Sequence, residues 1–171
     1  IKRLSSEETD ALENWHIALE YELPRRQKRP DAIVLANDRI LVIEFKFGME
    51  RYEAAAKWQT DDYALNLRDF HAASHGRHIV PILCAVDAPD ESSVPPQTNG
   101  SIVAPTQLAN GKTLWSVMQR AYSNDLPPQA LEHPIDPFAW LDSPYRPTLT
   151  IIKAAERLYG NHSVREISHN Y

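Results

Sequence analysis

Two carboxylates and one ammonium group stand out in the stretch RPDAIVLANDRILVIEFKFG, residues 29–48, because most of their neighbours are apolar. Asp31 precedes one apolar run, and Glu44 and Lys46 lie inside the next one. Side chains two positions apart on a strand face the same side, so Glu44 and Lys46 should project together. If a short turn joins the two runs as neighbouring strands, Asp31 lies close to both of them.

Such a group of side chains suits metal-assisted hydrolysis. Two convergent carboxylates on a rigid sheet form an oxygen-rich site for a hard divalent cation, Mg²⁺ or Mn²⁺. Such an ion polarises a phosphoryl oxygen and lowers the pKa of water, which yields hydroxide near neutral pH. Lys46 would orient the attacking water or stabilise the charge on the phosphorane. The alternative is an ordinary ion pair between Glu44 and Lys46 on a solvent face, with Asp31 as a turn residue. The apolar residues around the pair argue against it, because a charged pair there is costly without further partners.

The elements that position these residues follow from hydrophobic periodicity and turn signals. We predict a helix, three strands, a long helix and a fourth strand, over residues 5–14, 16–24, 31–37, 39–47, 49–70 and 79–86. Short links between the first three strands predict an antiparallel meander. The long helix before the fourth strand favours a parallel pairing of that strand with the third. The fold class is therefore α/β.

Beyond residue 86 the chain becomes polar and rich in proline. We predict a loop, a short strand, a helix, a surface segment and a last helix, over residues 87–100, 101–104, 113–123, 125–147 and 148–159. Phe138, Trp140 and Tyr145 are expected to anchor the surface segment. The predicted division is a core over residues 1–104 and a helical, proline-rich extension over residues 105–171 that packs on it.

The order of these elements and their polar residues resembles the PD-(D/E)xK nuclease superfamily. The matching residues are Pro30-Asp31, followed by Glu44-Phe45-Lys46 on the next strand. The resemblance implies a restriction-endonuclease-like core of order α-β-β-β-α-β, with a mixed central sheet flanked by helices. It also implies that the backbone carbonyl of Phe45 joins Asp31 and Glu44 in holding Mg²⁺ or Mn²⁺.

The long predicted helix extends the resemblance. Gln59 and Tyr63 are four residues apart, so they share one helical face. This Q-x-x-x-Y pattern after the catalytic strand is similar to that of RecB-type nucleases. There it implies that both side chains face the active site, where they contact DNA or support the catalytic lysine.

Most of the chain also resembles the N-terminal, nuclease-like domain of bacterial proteins that carry a Schlafen group 3-like DNA/RNA helicase domain. The similar segments begin at LEYELP and end at the stretch WLDSPYRPTLTIIKAAERLYGNHSVREI. The resemblance implies a nuclease–helicase fusion in DNA processing or phage defence, with DNA as substrate and RNA as a second possibility. Because the sequence opens at Ile1 without methionine, we expect a fragment of a longer protein. The resemblance implies that the chain ends at Tyr171 about where the helicase-like domain would begin.

Further residues are candidates around the site. Glu22 is the favoured additional metal ligand. The alternative for Glu22 is an ion pair with the neighbouring arginines. Other glutamates that could serve as the ligand are Glu7, Glu8, Glu13 and Glu20. The expected nucleic-acid contacts are basic residues in two loops, Arg25, Arg26, Lys28 and Arg29 in the first and His75 and Arg77 in the second. The competing interpretations are a solvated hairpin tip for the first loop and ordinary polarity at a helix end for the second.

The overall composition limits the classes of function. A net charge of −5 argues against a protein that coats nucleic acid, though not against a nuclease with a local basic patch. The single cysteine, Cys84, lies in an apolar run and is expected to be a buried, inert thiol. The sequence has neither a signal peptide nor a membrane-spanning run, so a cytoplasmic protein is expected. The rival class is a catalytically silent module that binds nucleic acid or docks a fused motor domain.

Overall fold

The computed structural model describes residues 15–23, 29–91, 101–127 and 130–159. Its strands are β1 (Trp15–Leu19), β2 (Ala32–Ala36), β3 (Arg39–Lys46), β4 (His78–Ala85) and β5 (Gln107–Ala109). Its helices are α1 (Ala54–Phe70), α2 (Leu114–Ser123), α3 (Pro137–Leu141) and α4 (Leu149–Tyr159), with a short 3-10 turn at Ala72–Ser74. The predicted helix over residues 5–14 lies outside the described residues.

The strands form one mixed five-stranded sheet in the order β1-β2-β3-β4-β5. The first three strands pair antiparallel, which confirms the predicted meander. β4 runs parallel to β3, as the intervening helix predicts, and β5 runs parallel to β4. The turn between β2 and β3 has Asn37 at φ 58, a left-handed conformation that asparagine tolerates. The chain therefore has the predicted α/β class with a mixed central sheet.

Helices cover both faces of this sheet. Tyr63, Ala64 and Leu67 of α1 pack on one face, against β2, β3 and β4 side chains that include Val42 and Ile79. The opposite face packs against α2 through Val117, Met118 and Ala121. β3 is buried along most of its length because both of its faces are covered, which explains its nearly continuous apolar sequence.

The structure differs from the prediction at several element boundaries. β1 ends at Leu19, and the next residue, Glu20, adopts φ 47, which does not continue a strand, so the strand predicted to residue 24 is shorter. α1 begins at Ala54 rather than at residue 49. In place of the strand predicted over residues 101–104 there is an isolated bridge between Val103 and Ile79, and the fifth strand follows at Gln107–Ala109.

The C-terminal part packs closely on the sheet. Trp140 is fully buried and Tyr145 stacks on Phe70, so both anchor the surface segment as predicted. Phe138 does not, because 78% of its surface is exposed. The division of the chain at residue 104 stays a prediction, and β5 and α2 beyond that boundary both contribute to the sheet core.

None of the helices in the described ranges is long and apolar enough to cross a membrane.

Candidate active site

The register of β2 and β3 places the two carboxylates opposite each other. Ala32 pairs with Ile43, and continuing this antiparallel register by one residue sets Asp31 across from Glu44. Glu44 and Lys46 have the same strand parity as Val42, whose side chain packs on the α1 face. The carboxylates and the lysine therefore meet on the face of the sheet that α1 covers.

Pro30 determines how the sheet ends beside the site. In the same register it is the residue opposite Phe45, and proline has no N–H to donate. The backbone N–H of Phe45 nevertheless has an acceptor, because it donates a 2.7 Å hydrogen bond to Oδ2 of the Asp31 side chain. The N–H and C=O of one strand residue point to the same edge, so the Phe45 carbonyl faces Pro30 without a ladder donor. This gives the Pro-Asp dipeptide a physical reason that its spacing alone does not reveal.

Lys46 is held by two acceptors on α1 and β3. Its Nζ lies 2.7 Å from Glu44 Oε1 and 3.1 Å from Gln59 Oε1. An ammonium group has three N–H bonds, so the two hydrogen bonds found among the described residues leave one donor for a further partner. The Lys46 side chain keeps 28% of its surface exposed, against 5% for Glu44. The lysine is thus fixed in direction and still reaches solvent.

Gln59 connects the lysine to the tyrosine. Its Nε2 donates to Glu44 Oε1 at 3.0 Å and lies 2.6 Å from Tyr63 Oη. The reverse orientation of the amide would turn its oxygen toward the Glu44 carboxylate and its NH₂ group toward the Lys46 ammonium. Both contacts would be repulsive, so the network fixes the amide orientation. The predicted Q-x-x-x-Y face thus meets the E-x-K strand.

Glu44 is buried and incompletely paired. Burial raises the pKa of Glu44, and the charge of Asp31 adds to this rise, while the bond to Lys46 opposes it. Within the described part of the chain, the buried Oε2 atom has no hydrogen-bond partner. Burial also raises the pKa of Tyr63, so its hydroxyl stays protonated at neutral pH. A buried carboxylate oxygen without a partner is costly, and a cation is the partner that suits it.

The residues present fit a magnesium-type site with few protein ligands. The donors are the Asp31 carboxylate, Glu44 Oε2 and the Phe45 carbonyl. The described residues contain no cluster of three or more His, Cys, Asp or Glu side chains of the kind that forms a complete metal cage. Mg²⁺ keeps several waters and binds through one or two carboxylates together with substrate phosphates. The donor set therefore suits Mg²⁺ or Mn²⁺ better than a metal that needs a complete set of side-chain ligands.

The structure does not bring Glu22 into this group. The side chain is exposed, and its Oε2 lies 3.4 Å from Arg29 Nη2. The reason is the turn at Glu20, which ends β1 before Glu22, so this residue is not held on the sheet beside Asp31. The predicted additional ligand is therefore not supplied by Glu22. Glu7, Glu8 and Glu13 lie outside the described residues.

The two predicted basic loops have different outcomes. Arg29 is exposed and close in sequence to Asp31, so it remains available to a phosphate. Arg25, Arg26 and Lys28 lie outside the described residues. His75 and Arg77 are placed elsewhere, since they precede β4 at the end where His78 pairs with Arg39. That pair is five residues, or about 16 Å, from the level of Glu44.

Arg77 is buried and contacts the backbone of a distant segment. Only 6% of its surface is exposed, and its Nη1 donates to the backbone carbonyl of His133. The guanidinium thus connects the start of β4 to the segment before α3. His75 is half-buried, and its buried Nε2 has no hydrogen-bond partner among the described residues. Neither side chain belongs to the site around Lys46.

Two aromatic residues that neighbour site residues in the sequence are more exposed than the sequence suggests. Phe47 follows Lys46 and is 81% exposed, and Trp58 precedes Gln59 and is 74% exposed. Alternation on β3 and the apolar periodicity of α1 place such residues in the core by default. Their positions next to Lys46 and Gln59 in the sequence are the signal that could have singled them out.

No family model, no curated protein and no solved structure matches this chain.

Proposed function

We propose that this domain is a divalent-metal-dependent nuclease that hydrolyses phosphodiester bonds of DNA. The observation that carries the proposal is the buried Glu44 carboxylate, one oxygen of which is held by Lys46 and Gln59 while the other has no partner in the described residues. Asp31 lies across the strand pair from it. Such an arrangement would place a bound cation and a positioned ammonium group on one rigid surface.

Each side chain has a defined task in this proposal. Asp31, Glu44 and the Phe45 carbonyl would hold Mg²⁺ or Mn²⁺, which supplies Lewis-acid polarisation of the phosphoryl oxygen and lowers the pKa of water. The free N–H of Lys46 would donate to the attacking water or to a phosphoryl oxygen as negative charge develops there. Gln59 keeps the ammonium in place, and Tyr63 fixes Gln59 in turn.

The experiment is hydrolysis of plasmid DNA and of single-stranded DNA in the presence of Mg²⁺ or Mn²⁺. We expect Lys46→Ala and Asp31→Ala to lower the rate by about 100- to 1,000-fold, because each removes a group that acts on the developing charge. Lys153→Ala is the matched control, since this lysine is exposed on α4. Equal rates for wild type, Lys46→Ala and Asp31→Ala would refute the assignment of the active site.

A binding module is the alternative outcome of the same experiment. Binding to DNA that EDTA leaves unchanged, without turnover in any of the metals, would contradict the nuclease proposal. The place of the domain in a nuclease–helicase fusion that acts in DNA processing or phage defence is part of the proposal. It is tested by whether the gene also encodes a helicase-type ATPase and whether that ATPase stimulates hydrolysis.

A further inference from the structure

Helix α1 carries a large aromatic side chain on the side that faces solvent. Trp58 is 74% exposed, whereas the other three tryptophans of the chain, Trp15, Trp115 and Trp140, are half-buried or buried. Tryptophan is normally one of the more buried residues, because its ring gains free energy by leaving water. Tryptophan is also enriched among the residues that anchor protein interfaces. The exposed ring therefore marks a candidate interaction surface.

Trp58 belongs to an apolar row along α1. Ala54 and Ala55 lie four and three residues before it, and Leu65 lies seven residues after it, so the four side chains share one side of the helix. All four are exposed, Leu65 at 38%. The row extends from residue 54 to residue 65, a rise of about 16 Å. The opposite side of α1 packs on the sheet, so this row is a second apolar surface that the fold leaves in water.

Two carboxylates lie inside the apolar row. Asp61 and Asp62 are three and four residues after Trp58, so both stand between it and Leu65. Asp61 accepts a hydrogen bond from the hydroxyl of Thr106, which orients the carboxylate and leaves its charge in place. We call the surface formed by these two aspartates and the apolar row the outer face of α1.

The basic side chains of α1 are directed to other groups. The ammonium group of Lys57 lies 6.0 Å from the ring centroid of Tyr52. Arg68 donates two hydrogen bonds to Asp69, at 2.6 and 2.8 Å. The outer face is therefore acidic, in keeping with the net charge of −5. Such a surface repels phosphate groups and attracts basic side chains.

We propose that the outer face of α1 docks a basic amphipathic helix of a second protein. Apolar residues of that helix pack on Trp58 and Leu65, and its lysine or arginine residues pair with Asp61 and Asp62. The two alanines let the partner helix approach closely at one end. A row of about 16 Å matches three turns of helix, which is the usual form of recognition by an amphipathic helix.

The inference is independent of the proposed nuclease. Successive residues of a helix are rotated by roughly 100°, so Trp58 is directed away from Gln59 and from its contacts with Glu44 and Lys46. Trp58→Ala should therefore leave the rate of DNA hydrolysis as in the wild type. Loss of hydrolysis in this variant would show that the outer face belongs to the active site, and would overturn the inference.

The test uses a synthetic peptide as the partner. The probe is a fluorescein-labelled peptide of about 14 residues, composed of leucine and lysine in the pattern of an amphipathic helix, and binding is measured by fluorescence anisotropy. We expect Trp58→Ala to weaken binding by roughly 10- to 100-fold. Asp62→Asn should weaken it by about 2- to 5-fold, and by less at high salt.

The matched control is Phe138→Ala, because this phenylalanine is 78% exposed on α3 and outside the outer face. It should bind the peptide as the wild type does. Circular dichroism and thermal unfolding of each variant verify that it is folded, as expected for changes at exposed side chains. Failure of the wild type to bind the peptide, or equal losses in Trp58→Ala and Phe138→Ala, would contradict the proposal.

Two altered peptides and one oligonucleotide test the chemistry of the partner. A peptide with glutamate in place of lysine, and one with glutamine in place of leucine, should each bind at least about 10-fold more weakly. A labelled single-stranded oligonucleotide should bind wild type and Trp58→Ala equally. Equal affinity for the acidic peptide, or oligonucleotide binding that depends on Trp58, would refute a basic protein helix as the occupant.

Discussion

Glu44→Gln provides the sharpest test of the site, because it keeps the shape of the side chain and removes its charge. In the wild type, Oε1 accepts from Lys46 and Gln59, and Oε2 has no partner within the part of the chain that the structure describes. The amide oxygen of glutamine can still accept both bonds. Burial raises the pKa of Glu44, so desolvation already opposes its charge and the neutral amide avoids that cost. We therefore expect the metal-free variant to be as stable as wild type within about 1 kcal/mol.

The effect appears when metal is added. At a metal concentration 100 times the dissociation constant, binding stabilises the folded wild type by about 2.7 kcal/mol. For a chain of this size that corresponds to a rise in Tm of roughly 5–10 °C. If loss of the carboxylate raises the dissociation constant 100-fold, the same concentration adds only about 0.4 kcal/mol. The expected rise in Tm then falls to roughly 1–2 °C.

The assay is thermal unfolding with and without Mn²⁺ or Mg²⁺, which needs no substrate and no turnover. Glu132→Gln is the matched control, because this glutamate is exposed and outside the site. It should retain the full rise in Tm. The reasoning is refuted if the metals do not stabilise the wild type, or if Glu44→Gln responds to them as the wild type does.

Three further predictions concern the support of the site and of the fold. Gln59→Leu removes one of the two hydrogen-bond acceptors that position Lys46, and we expect kcat/KM for DNA hydrolysis to fall about 100-fold. An unchanged kcat/KM would show that the amide does not position the lysine. Arg39→Met removes a buried guanidinium that pairs with an aspartate at 3.1 Å and donates to two carbonyls at the end of α2. We expect the free energy of unfolding, measured with urea, to fall by about 3–5 kcal/mol. The control Arg51→Met, at an exposed arginine, should lower it by less than about 0.5 kcal/mol. Burial lowers the pKa of His71 to about 4 from 6.5, so the unfolded state binds more protons between these values. The free energy of unfolding should therefore fall by up to about 3 kcal/mol as pH decreases from 6.5 to 4, and a His71→Gln variant with an equally steep dependence would contradict this assignment.

The strands and helices of the core were accessible from the sequence because their signals are local. Alternation, turn residues and the absence of Gly and Pro in residues 49–70 predict β2, β3 and β4 nearly as observed, and α1 with a start five residues too early. The sequence also predicted the buried thiol from a local signal, since Cys84 lies inside an apolar strand. Its exposure is 1%, and burial raises its pKa to about 11. Local patterns are sufficient to predict an element when both of its faces are buried, because its side chains then have only one kind of environment.

The positions of isolated polar residues were harder to predict from the sequence. His75 and Arg77 precede a strand just as active-site loop residues do, and only the parallel register reveals that they lie at the other end of the sheet. Glu22 alternates correctly with its apolar neighbours, but the left-handed residue Glu20 ends the strand before it. These outcomes depend on contacts between residues distant in sequence.

By itself, the sequence determined the α/β class, the order of the first four strands and the proximity of Asp31, at the start of one strand, to Glu44 and Lys46 on the next. The tertiary structure decided that Gln59 holds Lys46, that Pro30 leaves the Phe45 carbonyl without a ladder donor, and that one oxygen of Glu44 has no partner among the described residues. The physical reason is the range of the interactions. Propensity and periodicity act over a few residues, whereas desolvation of a carboxylate and the geometry of its hydrogen bonds depend on what a strand pair and a helix bring together.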